Sequence, residues 1–273
     1  MTYAVLGPRG TFSEDAACFY WGEKANLCTA ASITDLFIMV ERGEVEGALV
    51  PIDNTLAGSI NLTMECLEMN SVSIEGEFLL PIKQHLLSCE KYELEEVELL
   101  ISQPAALIQC DRFIKTYLKG IRTEITDSTA RAAKLLSEEP RKAVCIGSIR
   151  AAEIYSLIII RRDIGDENNV TRFIHIARGK NEEKKGDKSS IIFSLPNKPG
   201  TLYRALGVFA KRNLNMSKIE SRPSSRVKGS FSFYVEFDSP FDHAGLEEVL
   251  KELENHCNYI KYLGSYRTIK GEI

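Results

Sequence analysis

Four stretches of this 273-residue chain gather hydroxyls, side-chain amides and glycines where a short apolar run gives way to helical spacing. Gly7-Pro8-Arg9-Gly10-Thr11-Phe12-Ser13-Glu14 is the first. Free backbone N–H groups at such a helix start, with the Thr11 and Ser13 hydroxyls beside them, can hold an anion the size of a carboxylate. The same residues also make an ordinary capped helix, with Thr11 or Ser13 as the cap. Pro51-Ile52-Asp53-Asn54-Thr55-Leu56-Ala57-Gly58-Ser59 repeats the layout after the next apolar run. Ser102-Gln103-Pro104-Ala105, with Gln109 a helical turn further on, is the third, and Asp127-Ser128-Thr129-Ala130 the fourth. One such cluster is weak. Several at the C-terminal ends of strands in an open α/β sheet point to a substrate cleft.

A fifth stretch, Asn168-Asn169-Val170-Thr171-Arg172-Phe173, sets a hydroxyl beside a guanidinium at the head of an apolar run that continues to Ala177. A guanidinium can grip a planar carboxylate through two parallel hydrogen bonds. On residue type alone, a strand-start threonine followed by a surface arginine is the plainer meaning of that pair.

These residues need a scaffold, and the spacing of apolar residues supplies one. Short apolar runs at Tyr3 to Leu6, Gly47 to Pro51, Leu99 to Ser102 and Ala143 to Ile146 alternate with helical patterns, including one over Ala105 to Tyr117. A longer strand over Ser73 to Ile82 passes across the molecule. This predicts α/β layers in two lobes, with strand ends facing a cleft. The highly charged segment 179–188, with a glycine near each end, reads as a solvated linker between a body (1–178) and a tail (189–273). The tail runs strand, helix, strand, strand, helix, strand, the ferredoxin-like βαββαβ order.

Bulk composition narrows the class. With 44% hydrophobic and 26% charged residues the chain is an ordinary globular sequence, not a disordered or fibrous one. A net charge of −4 argues against binding a long phosphate backbone, though not against a small anion. The apolar stretch from Ile154 to Ile160 is too short to span a bilayer and ends in Arg161-Arg162. The N-terminal residues carry no secretory pattern, so a cytoplasmic location is expected. Seven cysteines at irregular spacing, with no C-x-x-C pair, read as reduced core thiols. His85, His175, His243 and His256 have no metal-ligand spacing, so no metal or organic cofactor is expected. Glu14, Glu65, Glu68 and Glu77 could each supply an acid, but isolated glutamates are usually solvated helix-face residues.

Taken in order, these segments closely resemble prephenate dehydratase over essentially the whole chain. The resemblance rests on Gly7-Pro8-x-Gly10-Thr11-Phe12-Ser13-Glu14, on Val50-Pro51-Ile52-Asp53-Asn54-Thr55 and on Thr171-Arg172-Phe173. Gly76-Glu77, Gln109-Cys110, Ser128-Thr129-Ala130-x-Ala132-Ala133 and Ala151-Ala152-Glu153-x-Tyr155 extend it. In the tail, Asn197-x-Pro199-Gly200-Thr201-Leu202 and Glu220-Ser221-Arg222-Pro223 resemble the phenylalanine-binding segments of the regulatory ACT domain. The sequence departs from the family at Asp53 (usually Glu), Gln103 (often His), Ala105 (often Gln) and Thr201 (usually Ala).

The resemblance implies a two-lobed catalytic body like type II periplasmic binding proteins, joined to an ACT domain. It implies conversion of prephenate to phenylpyruvate, water and carbon dioxide, with feedback inhibition by phenylalanine. Thr171 would protonate or hydrogen-bond the leaving hydroxyl, Arg172 would hold a carboxylate and Phe173 would pack on the ring. Thr11, Ser13, Asn54, Thr55, Ser102 and Gln109 would bind substrate. The effector would lie on Asn197, Pro199, Gly200, Thr201, Leu202, Glu220, Ser221, Arg222 and Pro223, in a homodimer or homotetramer. Without a helical mutase domain ahead of Tyr3, a monofunctional enzyme is expected. Cutting the linker would keep turnover and abolish the response to phenylalanine. Arogenate dehydratase is the close alternative, and a non-catalytic solute-binding module the distant one.

Overall fold

The computed structural model describes residues 1–166, 169–179, 186–238 and 243–271. Asn168 and most of the expected linker, residues 180–185, lie outside the described residues. Thr2–Leu6 forms strand β1, which leads through a turn at Gly10, where φ is 85°, into helix α1 (Phe12–Trp21). Only a residue without Cβ takes that dihedral at no steric cost. Strand β2 (Asn26–Ala30) and helix α2 (Ile33–Arg42) follow, the helix capped by Ser32 and ended by left-handed Gly43. Next come β3 (Gly47–Asn54), the short β4 (Gly58–Ser59), α3 (Asn61–Met69) and β5 (Val72–Pro81). β3 is buried on both faces, which is why it reads as one apolar run rather than an alternating one.

The chain then crosses into a second lobe. Its elements are β6 (His85–Ser88), β7 (Leu99–Ser102), α4 (Pro104–Gln109), α5 (Asp111–Tyr117) and β8 (Arg122–Ile125). α6 (Thr129–Glu138), β9 (Ala143–Gly147), α7 (Ile149–Ile154) and β10 (Ile158–Arg161) complete it. The sheet order is β10-β6-β9-β7-β8. The single helix expected over Ala105 to Tyr117 is broken at buried Cys110, because α4 buries Ala106 and Gln109 while α5 buries nothing and lies on the surface. The returning strand β11 (Val170–Arg178) rejoins the first lobe. Outgoing and returning crossings are bonded together, Ile82 N–H donating to the Asn169 carbonyl at 2.7 Å and Ile164 N–H to the Gln84 carbonyl at 2.8 Å.

The tail folds as β12 (Lys188–Leu195), α8 (Thr201–Lys211), β13 (Met216–Pro223), β14 (Phe231–Asp238), α9 (His243–Glu254) and β15 (Tyr259–Tyr266). Its sheet order is β13-β14-β12-β15, as the βαββαβ pattern requires. One face carries Phe193, Phe233, Val235 and Phe237 against α8 and α9. The other face joins the body: Ile192, Tyr234, Leu263 and Tyr266 share one core with Leu67, Ile74 and Ile176.

The sequence reading gave everything from 189 to 273 to the tail, and the end of the chain corrects it. β16 (Thr268–Lys270) pairs in parallel with β5, so the first lobe's sheet runs β16-β5-β11-β3-β1-β2. Three residues carry too little periodicity to announce such a strand. It forms because β5 would otherwise present an unpaired edge.

Candidate active site

A cleft of about 650 Å³ opens between the two lobes. The first lobe lines it with Thr11, Ser13, Thr171 and Phe173. The second lobe answers with Gln109 and with Asp127 to Thr129 and Arg131. Two helix starts therefore face one space. At α1 the Thr11 hydroxyl caps Glu14 N–H, and at α6 the Ser128 hydroxyl accepts from Arg131 N–H at 3.0 Å. Each helix start adds partial positive charge to a site already rich in donors.

Strand alternation settles which residues of β11 reach that space. Thr171 and Phe173 face the cleft, the phenyl ring 1% exposed and packed with Val5, Leu49 and Phe78. In the ladder Thr171 lies opposite Asn54, whose Nδ2 donates to Thr171 Oγ1 at 2.9 Å and to Asn169 Oδ1 at 2.7 Å. The Asn54 carbonyl oxygen accepts from Leu56 and Ala57 N–H, which fixes the amide orientation. With a lone pair of Thr171 occupied by that N–H donor, its own O–H is left to donate elsewhere. Thr55 does not line the cleft; its hydroxyl accepts from Val170 N–H at 2.9 Å and ties down the strand that carries Thr171.

Two polar groups near the cleft are buried without a hydrogen-bond partner among the described residues: Ser102 Oγ and Gln84 Oε1. Gln84 lines the cleft and donates to Gln109 Oε1 at 2.8 Å. Ser102, fully buried at the end of β7, is not among the residues lining it.

Arg172 is the main correction. The sequence reading aimed it at a substrate carboxylate, but alternation turns it to the opposite face of the sheet, under the tail. There it forms a two-pronged ion pair with Glu236 of β14, with Nη1 donating to Oε2 at 2.9 Å. Asp53 Oδ2 lies 3.2 Å from its Nε and Glu77 Oε2 3.6 Å from its Nη1. Lys188 donates to Glu77 at 2.9 Å and Lys218 to Asp53 at 2.7 Å. Burial by itself would favour a neutral Glu236. The hydrogen bonds and charge of Arg172, helped by Lys188 and the Tyr234 hydroxyl, outweigh it and hold the carboxyl down at about 2. Burial also disfavours charge on Arg172, and Glu236, Glu77 and Asp53 reverse that effect and raise its pKa.

The cation that does line the cleft is Arg131, on the first turn of α6 and exposed, with no ion pair among the described residues. The sequence reading missed it. Its signal was its place three residues beyond the Ser128 cap. Three of the four glutamates read as solvated are buried instead. Glu14 binds Arg9 and Gly10 N–H, Glu68 binds Arg222, Ser224 and Ser232, and Glu77 binds Lys188. Glu68 and Glu77 find partners far along the chain, 154 residues away at Arg222 and 111 at Lys188, while those of Glu14 are local.

No cluster that could hold a metal occurs among the described residues. Burial lowers the pKa of His85, whose Nδ1 accepts from Asp163 N–H, so this ring is a neutral structural group. The side chain of His243 lies outside the described residues. All seven cysteines are free, and burial pushes the Cys110 thiol up to about 12.

In the tail, the expected effector residues separate into two groups. Gly200, at φ 80°, starts α8 without a side-chain cap, and Thr201 folds its hydroxyl onto the Pro196 and Lys198 carbonyls. Ser221 pairs with Phe233 and so shares the face that carries α8. Glu220 and Arg222 point the other way. Arg222 donates to the Met64 carbonyl at 2.6 Å and to Glu68 at 2.9 Å, and Glu220 meets Ser59, so both dock the tail on the body.

Comparison with known proteins places these observations. Residues 3–181 match the family model of prephenate dehydratase and residues 189–258 that of the ACT domain. The chain is 38% identical over 270 residues to the prephenate dehydratase of Methanocaldococcus jannaschii, covering 95% of each. It is 37% identical over 264 residues to the bifunctional chorismate mutase/prephenate dehydratase of Aquifex aeolicus, covering 96% of this chain and 72% of that one. Among solved structures, prephenate dehydratase from Arthrobacter aurescens in complex with L-Phe superposes with a TM-score of 0.90 at 29% identity. That match covers 98% of this chain and 90% of the other.

Proposed function

Because this chain belongs to the prephenate dehydratase family, we propose that it converts prephenate to phenylpyruvate, carbon dioxide and water in the cleft between its lobes. The bond from the ring to its carboxylate breaks, and its electron pair moves into the ring. The hydroxyl on the far side of the ring leaves with one added proton as water. Aromatisation supplies the driving force, so the protein needs to orient two carboxylates and ease the departure of one oxygen.

The observation that carries this reading is the pair of capped helix starts, one from each lobe, opening on a cleft whose wall also bears Thr171. Thr11, Ser13, Gln109 and Arg131 hold the two carboxylates. Phe173 packs on the ring. Thr171 donates to the leaving hydroxyl while Asn54 donates to Thr171, which polarises a group that alone is a very weak acid. Asn54 and Thr55 position this strand, and Gln84 joins the binding set through Gln109. Arogenate would bring an ammonium group in place of the keto oxygen; the 38% identity to a prephenate dehydratase over 95% of each chain supports prephenate as the substrate.

Phenylalanine is the effector this reading assigns to the tail. Its carboxylate would sit at the uncapped start of α8, near Ser221, with a second copy of the chain closing the site. β13 is the free edge of the tail sheet and exposes Ile219, and Tyr203 on α8 is 83% exposed. Among the described residues no helix is long and apolar enough to cross a membrane.

Purified full-length protein should release phenylpyruvate from prephenate, and phenylalanine should slow it. Turnover of arogenate alone would replace the substrate; turnover of neither would overturn the activity.

A further inference from the structure

We propose that Glu236 and Lys218, both from the tail, are positioning residues that clamp the strand pair presenting the catalytic hydroxyl. The inference rests on the reading of Thr171 given above. Thr171 lies opposite Asn54 in the β11–β3 ladder, and Arg172 lies opposite Asp53. The first pair carries the chemistry on the cleft face. The second pair, one residue along each strand, points to the other face, and the tail binds both of its members.

Glu236 grips Arg172 with both carboxylate oxygens, and Lys218 donates to Asp53 at 2.7 Å. Among the described residues the body offers Arg172 no comparable partner. Asp53 is close to its Nε but makes no hydrogen bond there, and Glu77, at 3.6 Å, instead accepts from Lys188 of β12. Glu236 is fully buried and is itself fixed by the Tyr234 hydroxyl at 2.8 Å. Without Glu236, partly buried Arg172 would lose the carboxylate that takes its two hydrogen bonds and keep only Asp53 and Glu77 nearby, at 3.2 and 3.6 Å. Its relief would be to move toward water, and the backbone it would move belongs to the residue after Thr171. The register of β11 against β3 already shifts between Arg172 and Phe173, so the ladder is weakest where the clamp acts.

Other tail anchors lie elsewhere. Lys261 donates to the Leu67 carbonyl at 2.6 Å and to that of Asn70, at the end of α3. It gives a control that loosens the tail without touching the clamp.

The test uses full-length protein carrying Glu236→Gln, Lys218→Met or Lys261→Met, with folding checked by circular dichroism. In Glu236→Gln, kcat for prephenate should fall on the order of 10- to 100-fold with KM little changed, as a small misplacement of a reacting group costs. Lys218→Met should fall in the same direction, and Lys261→Met should keep its kcat. Hydrogen exchange at the amides of residues 170–173 should quicken in the first two variants and not in the third. Folded Glu236→Gln with normal kcat and normal exchange would overturn the proposal. If Glu236→Gln does not fold, Arg172→Met with Glu236→Met removes both charges; kcat must remain low in it, and a normal value would overturn the clamp. If the wild type does not turn over prephenate, the substrate reading fails, and the exchange measurement still decides the clamp.

Discussion

The cleft between the lobes and the seam between the first lobe and the tail lie on opposite faces of one sheet, and they treat polar groups in opposite ways. In the seam, charges are buried and matched: Arg172 with Glu236, Lys188 with Glu77, Lys218 with Asp53. In the cleft, polar groups are left over among the described residues: the Thr171 hydroxyl proton, the Gln84 Oε1 acceptor and the Arg131 guanidinium. A buried charge is tolerable only when paired. A binding site needs groups whose partner is still to come. The tripeptide Thr171-Arg172-Phe173 serves both regions because a strand turns successive side chains to opposite faces.

The largest expected effect breaks the cleft side of this contrast. Thr171→Ala should lower kcat by about 10²- to 10⁴-fold, the usual worth of a positioned proton donor, with the fold intact. Thr171→Ser should be milder because the hydroxyl survives. Near-normal turnover by the alanine variant, measured as phenylpyruvate formation, would remove Thr171 from the mechanism. Next in size is Arg131→Met. It should raise KM for prephenate by about 10- to 100-fold, the loss of one charge-assisted hydrogen bond, and change kcat less. An unchanged KM would leave the helix starts as the whole carboxylate site.

Much of the cleft was legible in the sequence because its parts are local. Thr11 and Ser128 are helix caps, and caps show as a hydroxyl ahead of an apolar period. Gln109 follows Ser102-x-Pro104 by spacing alone. The seam was not legible, because each pair in it joins residues far apart: 64 positions separate Arg172 from Glu236 and 165 separate Asp53 from Lys218. In a single sequence such residues look like isolated surface charges. Arg131 was overlooked for a different reason. On an amphipathic helix it is one polar residue among several, and only the cleft that the second lobe closes gives it meaning. The last strand, Thr268–Lys270, is set by the partner edge it finds on β5 and not by its own residues.

A smaller effect sharpens the seam side. Free glutamate titrates near 4.5, and Glu236 is held at about 2. A carboxyl lowered on folding contributes stability that is complete above its unfolded pKa and lost as pH falls through its folded value. The groups facing it are Arg172, Lys188, Glu77, Asp53 and Tyr234, so acid acts on a matched set. Between pH 4.5 and 2 the wild type should lose stability more steeply than Glu236→Gln, which has no such proton to gain. Parallel acid-unfolding curves for the two proteins would contradict the charge pairing described for Glu236.

The smallest expected effect concerns the linker, and it reverses what the sequence implied. If the tail were a separate module, cutting between 180 and 185 would free it and abolish any response to phenylalanine. The seam argues otherwise. Arg222 reaches the carbonyls of Asn61 and Met64, Lys261 reaches those of Leu67 and Asn70, and β16 adds a strand to the body's own sheet. The apolar face of the tail sheet shares a core with β11 and α3 through Tyr234, Leu263 and Tyr266. None of these contacts depends on the covalent connection, so a nicked chain should remain one particle on size exclusion, with turnover and phenylalanine sensitivity close to those of the intact protein. Dissociation of the nicked tail at neutral pH would show that the seam is weaker than its burial and pairing imply. In that case the loss of turnover in the freed body would measure directly how much the clamp on Arg172 and Asp53 contributes to the cleft.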